Sequence, residues 1–362
     1  MPIYVTRSSM PSFEEYCEEI RPLWESRHLT NRGAKHQAFE EKLSAYTECS
    51  HVSLFTNGHL ALEAALSAYG FETGSEVITT PFTFASTTHA IVRAGLVPVF
   101  CDIDPADYTI DPAKIEELVT EKTVAVLAVH VYGNPCHVHE IEKIAKKHSL
   151  KVIYDAAHAF GETLFGKNIA AFGDVSMFSF HATKVFNTIE GGALCTSDEA
   201  LWRTVECAKN FGLSGEDATL VGTNAKMNEF QAAMGLLNLK HLPEEIARRK
   251  AVVQLYREKL GGKDGITLVS PCTSLTENCA YFPVLFDGYK YSRDEVIARL
   301  AEQEIYARKY FFPITSEFSC YRYLNPAPTP IAKHVSENIL TLPLFADLSL
   351  DDAERICKII SD

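Results

Sequence analysis

Val175-Ser176-Met177-Phe178-Ser179-Phe180-His181-Ala182-Thr183-Lys184 is the stretch whose reading decides the fold. Its first six residues form a short, largely apolar run, the mark of a strand buried on both faces. The run gives way to a polar turn that ends on a lysine, and Glu190-Gly191-Gly192 follows closely. Upstream, a second apolar run, Val152-Ile153-Tyr154, ends at Asp155, with His158 shortly after. A lysine and an aspartate thus stand at the ends of two neighbouring buried strands.

The same pattern repeats outward from this pair. Val52 to Phe55, Glu76 to Thr79, Val97 to Cys101, Val124 to Val131, Lys151 to Tyr154, Val175 to Phe180 and Ala193 to Thr196 read as strands. Helical patterns fall between them, over Leu60 to Tyr69, Ala85 to Ala94, Pro112 to Val119 and Val138 to Lys147. Alternation of this kind predicts an α/β fold: a mostly parallel seven-stranded sheet with helices on both faces. Such sheets bind ligands beyond the carboxyl ends of their strands. Before the sheet, Ser12 to Ser26 and Ala38 to Tyr46 read as helices, separated by Leu29-Thr30-Asn31-Arg32-Gly33. After it, Asn228 to about Lys259 reads as a long helix in which Pro243 is a candidate interruption. The chain divides on this reading into a large domain, 1–245, and a small C-terminal α+β domain, 246–362.

At 362 residues the chain is too long for one ordinary core, in keeping with that division. Its net charge of -13 gives no general basis for binding nucleic acid or anionic membrane. No stretch has the length and purity of a membrane span, and Met1 to Arg7 lacks the apolar core of a signal peptide. A cytoplasmic protein is expected. The ten cysteines are scattered without paired spacing and read as small hydrophobes of a reducing compartment. Cys136-His137-Val138-His139 has the composition of a metal site, but it opens a helix that does not put residues 136 and 137 on one face. No metal is expected.

Lys184 and Asp155 together suggest pyridoxal phosphate: the lysine forms the Schiff base and the aspartate pairs with the protonated pyridine nitrogen. A phosphate needs N–H donors, and Thr56-Asn57-Gly58-His59 lies where a strand feeds a helix, so Gly58 and His59 can offer backbone amides. Ser179 can add its hydroxyl, and Phe84, at another strand end, can stack on a planar ring. His158 can contact the ring or its phenolic oxygen, or serve as a satisfied core histidine.

With these residues assembled, the chain resembles the DegT/DnrJ/EryC1/StrS family of pyridoxal phosphate-dependent nucleotide-sugar aminotransferases. The likeness runs through Leu29 to Gly33, Thr56-Asn57-Gly58, Pro81-Phe82-Thr83-Phe84, Asp155-Ala156-Ala157-His158, Ser179 to Lys184, Glu190-Gly191-Gly192, Asn210-Phe211-Gly212 and Lys226 to Ala233. It implies a fold type I transferase, a homodimer with shared active sites. It also implies roles: Lys184 and Asp155 catalytic; Asn57, Gly58, His59, Phe84, His158 and Ser179 on the cofactor; Asn228 on the phosphate of the neighbouring subunit. Two departures stand out. His59 replaces the Thr or Ser of many relatives, and Lys226 stands where arginine is common.

Ile305-Tyr306-Ala307-Arg308-Lys309-Tyr310-Phe311-Phe312-Pro313 is similar to a stretch in members that aminate C4 of dTDP-4-keto-6-deoxyglucose. The resemblance therefore implies transfer from L-glutamate to that sugar, giving dTDP-4-amino-4,6-dideoxyglucose for surface-polysaccharide or antibiotic sugars. Thr30, Lys309 and Tyr310 are the expected substrate contacts, with Arg308 and Lys309 supplying charge for a diphosphate. The alternatives are amination at C3 of a dTDP-3-keto-6-deoxyhexose, or amination of another nucleotide-linked 4-keto sugar. A related dehydratase branch carries histidine at the Schiff-base position, and Lys184 argues against it.

Overall fold

The structure, a computed structural model, describes residues 2–362. Its central sheet contains β1 (His51–Phe55), β2 (Glu76–Thr79), β3 (Val97–Phe100), β4 (Thr123–Val129), β5 (Lys151–Asp155), β6 (Val175–Ser179) and β7 (Gly192–Thr196). The strand order is β1-β7-β6-β5-β4-β2-β3. Strands β3, β2, β4, β5 and β6 are parallel, and β7 runs antiparallel to both β6 and β1. The reversal has a simple cause. The connection between β6 and β7 spans only residues 180–191 and holds no crossover helix, so the chain must double back. That connection carries Lys184.

Both faces of the sheet are buried, which explains the unbroken apolar runs. In β4, Val126 and Ala128 pack on one side with Phe39, Leu43, Tyr154 and Phe178. Their neighbours Ala125 and Leu127 pack on the other with Leu62, Ala65, Ile153 and Leu194. The helices covering the sheet include α1 (Ala34–Thr47), α2 (Gly58–Ala68), α3 (Ala85–Arg93), α4 (Val138–His148) and α5 (Glu199–Ala208).

Helix α6 runs from Glu229 to Leu260 without a break at Pro243. Packing holds it on both sides of the proline: Ala232, Leu236 and Leu242 belong to the sheet's core. Val252, Tyr256 and Leu260 belong to a second core with Phe282, Val284, Leu340 and Ile356. That second core covers a three-stranded antiparallel sheet of β8 (Ile266–Leu268), β9 (Phe282–Phe286) and β10 (Ile339–Leu342). The N-terminal tip joins it, since Ile3–Tyr4 pairs in parallel with Ile305–Tyr306. Among the described residues, no helix is long and apolar enough to cross a membrane.

Candidate active site

A cleft of about 540 Å³ opens at the carboxyl ends of the parallel strands. Asn57, Gly58, His59, Phe84, Asp155, His158, Ser179, Lys184 and Tyr310, all singled out from the sequence, line it. Thr30, Asn228 and Lys309 do not.

Asp155 closes β5 and is 5% exposed. Its Oδ2 accepts from Thr87 Oγ1 at 2.7 Å and its Oδ1 from the Ala157 N–H at 3.1 Å. Thr87 Oγ1 lies 2.7 Å from Thr83 Oγ1, four residues earlier, so α3 and the turn before it steady the carboxyl. Burial pushes the Asp155 pKa up, against these hydrogen bonds and the nearby Lys184 charge. A buried carboxylate of this kind calls for a cation on its open side, and a protonated pyridine nitrogen is one.

Lys184 sits in the β6–β7 turn. Its Nζ donates to the Tyr281 hydroxyl at 3.4 Å, with the Tyr281 ring centroid 5.7 Å away. Burial lowers its pKa to about 8, although the Asp155 carboxylate and then Tyr310 work in the opposite direction. His158 is buried, and burial holds it well below the ordinary histidine pKa. Its Nδ1 accepts from the Tyr132 N–H at 2.9 Å. The neutral ring therefore carries its proton on Nε2, ready to donate. Phe311 stacks on it at 5.9 Å with a 7° interplanar angle.

The phosphate cradle is built from backbone. Asn57 caps α2 through its side chain, taking the Leu60 N–H at 2.9 Å. The N–H groups of Gly58 and His59, which no carbonyl within the helix can reach, lie at the cleft. Gly58 is required there: a Cβ would stand 2.9 Å from Met177 Sδ and 3.0 Å from Ser179 Cβ. Gly192 is tighter still, its Cβ falling 2.6 Å from the Gly58 nitrogen. The His59 ring is held by Ser86 Oγ at 2.9 Å and Glu63 Oε1 at 2.8 Å, leaving its amide as the group for an anion. Phe84, 61% exposed at the start of α3, presents a free ring face. The donors, the carboxylate and the lysine together suit pyridoxal phosphate.

The other expected residues lie elsewhere. Lys309 Nζ pairs with Asp294 at 2.8 Å, outside the cleft, and Arg308 is the cation from that segment that lines it. Arg308 donates to the Tyr310 hydroxyl at 3.0 Å. Lys309, expected as a substrate contact, thus lies off the cleft while Arg308 and Tyr310 line it, as an extended segment turns alternate side chains opposite ways. Asn228 caps α6, accepting from the Gln231 N–H at 3.0 Å. Thr30 neighbours it in space, since the Leu29 carbonyl accepts from the Glu229 N–H at 3.0 Å. The residues of the metal-like cluster diverge: Cys136 Sγ donates to the Val129 carbonyl, His137 pairs with Asp107, and His139 stacks on Phe165.

Sequence reading missed Thr87, Tyr281 and His89; Arg308 it named only as a charge for a diphosphate, beside Lys309. Thr87 had a usable signal, lying one helical turn after Thr83. Tyr281 had none, for it arrives from the C-terminal part of the chain.

A model of the DegT/DnrJ/EryC1/StrS aminotransferase family matches residues 12–361. The dTDP-4-amino-4,6-dideoxy-D-glucose transaminase of Shigella dysenteriae is 41% identical over 364 residues, covering 100% of this chain and 99% of its own. A transaminase of the same name from Escherichia coli is 42% identical over 365 residues, covering 99% and 98%. Among solved structures, DesI with its TDP-sugar product superposes with a TM-score of 0.94 at 34% identity, over 99% of this chain and 92% of that one.

Proposed function

The chain belongs to the DegT/DnrJ/EryC1/StrS aminotransferase family and is a pyridoxal phosphate-dependent enzyme, and on that premise we propose that it transfers the amino group of L-glutamate to C4 of dTDP-4-keto-6-deoxy-D-glucose. The product is dTDP-4-amino-4,6-dideoxy-D-glucose. The observation that carries this reading is end-to-end identity of 41% and 42% to two transaminases named for that product. The convergence of Lys184 and Asp155 on one cleft supports it chemically.

The bound cofactor supplies an electron sink that makes a proton on the neighbouring carbon removable. Asp155 would pair with the protonated pyridine nitrogen and so sustain that sink. His158, with its proton on Nε2, would donate to the ring oxygen, its own orientation fixed by the Tyr132 N–H and Phe311. Gly58, His59 and Ser179 would hold the phosphate, and Phe84 would stack on the ring. Lys184 Nζ would first anchor the cofactor. Once released it takes the α-proton of glutamate, and in the second half-reaction it gives a proton to the sugar's C4. An amine lowered to about 8 suits both directions, since base and acid forms coexist near neutral pH. Arg308 and Tyr310 hold the nucleotide sugar from the far wall.

Asn228 and Thr30 lie outside the chain's own cleft, which favours a homodimer in which each subunit lends them to the other's site. We also place the division of the chain at residue 245, within α6; Tyr281, Arg308 and Tyr310, from beyond it, line the cleft opposite the sheet-end residues, in keeping with that division. Holo-protein mixed with L-glutamate should release 2-oxoglutarate catalytically only when the dTDP-keto sugar is present. Sustained release without the sugar, or none with it, contradicts the reading.

A further inference from the structure

Tyr281 meets Lys184 from the C-terminal part of the chain. Its hydroxyl accepts from Lys184 Nζ at 3.4 Å, and its ring centroid lies 4.6 Å from that of His158. Burial pushes its pKa up to about 12, so it stays a neutral phenol throughout turnover.

The segment bearing Tyr281 is tied down with unusual thoroughness. Asn278 Nδ2 donates to the His158 carbonyl at 2.7 Å and to the Phe160 carbonyl at 3.0 Å. Its Oδ1 accepts from the Ala280 N–H at 2.8 Å, next to Tyr281, and its own N–H donates to Glu162 Oε1 at 3.3 Å. Glu162 is 1% exposed, and burial holds its pKa well above the ordinary range. It packs under the Tyr132-Gly133 turn, where a Cβ on Gly133 would stand 2.6 Å from Glu162 Oε1. Tyr132 in turn donates its N–H to His158. Three separate stretches, 131–133, 158–162 and 278–281, are thus locked together behind the cleft. A buried carboxyl and a fully used asparagine are a costly way to pack a loop. Their common effect is to fix Tyr281 and His158 relative to Lys184.

We propose that Tyr281 is a further catalytic residue, its hydroxyl steering the Lys184 amine during proton transfer, and that Glu162 and Asn278 are positioning residues that fix it there. The proposal rests on Lys184 being the base. The step it serves is balanced at Lys184: Nζ gains the proton that the substrate carbon loses, and the Tyr281 oxygen only accepts an N–H hydrogen bond. With one N–H so engaged, the nitrogen lone pair has a fixed direction.

Tyr281→Phe removes the oxygen and keeps the ring. The expected result in the glutamate half-reaction of the holo-protein is a rate lowered about tenfold, about 1.4 kcal/mol, with KM for the nucleotide sugar unchanged in steady-state turnover. In cofactor-free protein, the pH dependence of Lys184 acetylation by acetic anhydride, read by mass spectrometry, should shift its inflection to lower pH. An acceptor for the ammonium has been lost. Asn278→Ala should move both readouts in the same direction. A Tyr281→Phe protein with wild-type rate overturns the proposal, and so does a slower one whose Lys184 inflection has not moved, because that is a packing defect. Lys184→Ala is the control: turnover surviving there refutes Lys184 as the base, and the proposal falls with that assignment rather than through Tyr281.

Discussion

Lys184 should titrate as no ordinary lysine does. Burial takes its pKa from 10.5 to about 8. At pH 7 an amine of pKa about 8 is neutral in about one molecule in ten, whereas at 10.5 only about one in 3,000 is. The site therefore raises the supply of reactive amine about 300-fold. Cofactor-free protein mixed with pyridoxal phosphate reports this directly, because attachment needs the neutral amine and changes the cofactor's absorbance. The rate constant should climb about tenfold per pH unit below about 8 and then level off. Asp155 opposes the shift, so Asp155→Asn should move the inflection to still lower pH. A rate that keeps rising tenfold per unit through pH 9 and beyond would refute the reasoning, for it would mean that the cleft does not desolvate Lys184.

Other outcomes follow from the same geometry. Asp155→Asn should lower kcat on the order of 10²-fold, as losing a group that stabilises developing charge commonly does, measured in steady-state turnover with saturating cofactor. Gly58→Ala drives a methyl against Met177 and the Ser179 backbone; it should cost about 1–3 kcal/mol in denaturant unfolding and weaken cofactor binding in equilibrium titration. Burial raises the Glu162 pKa well above that of the unfolded carboxyl, so between the two values the folded chain keeps a proton that the unfolded chain has lost. Stability is thus fullest below the unfolded carboxyl's pKa of about 4.3 and falls by up to about 1.4 kcal/mol per pH unit above it, until the raised folded pKa is reached. Glu162→Gln removes that slope, so its stability relative to the parent should improve from pH 5 to pH 8 in thermal melts. Co-expressed Lys184→Ala and Asn228→Ala chains should regain activity that neither has alone, since one site of each mixed dimer is intact; the purified mixed protein's turnover decides it.

The central sheet was legible because its strands are buried on both faces and so appear as short apolar runs between helices. Lys184 and Asp155 were legible because polar, reactive residues at the ends of such runs have few structural uses. The reversal of β7 was legible in principle from the short helix-free connection after Ser179, yet apolar runs carry no direction of their own. Pro243 was a misleading signal, as tertiary packing on both sides keeps the helix whole across it. The far wall was hardest. Tyr281 and Arg308 reach the cleft from beyond α6, and whether Arg308 or Lys309 faces inward depends on the setting of an extended segment that composition does not fix. Thr87 lay within reach, but its value depends on Asp155 being next to α3, a contact made by the sheet order.

The most direct measurement is the NMR spectrum of the sugar formed when holo-protein, L-glutamate and dTDP-4-keto-6-deoxy-D-glucose react to completion. The expected spectrum places the new amine on C4, with loss of the product when Lys184 is replaced by Ala. An amine on C3, or a sugar recovered without nitrogen while glutamate still reacts with the enzyme, would contradict the assignment.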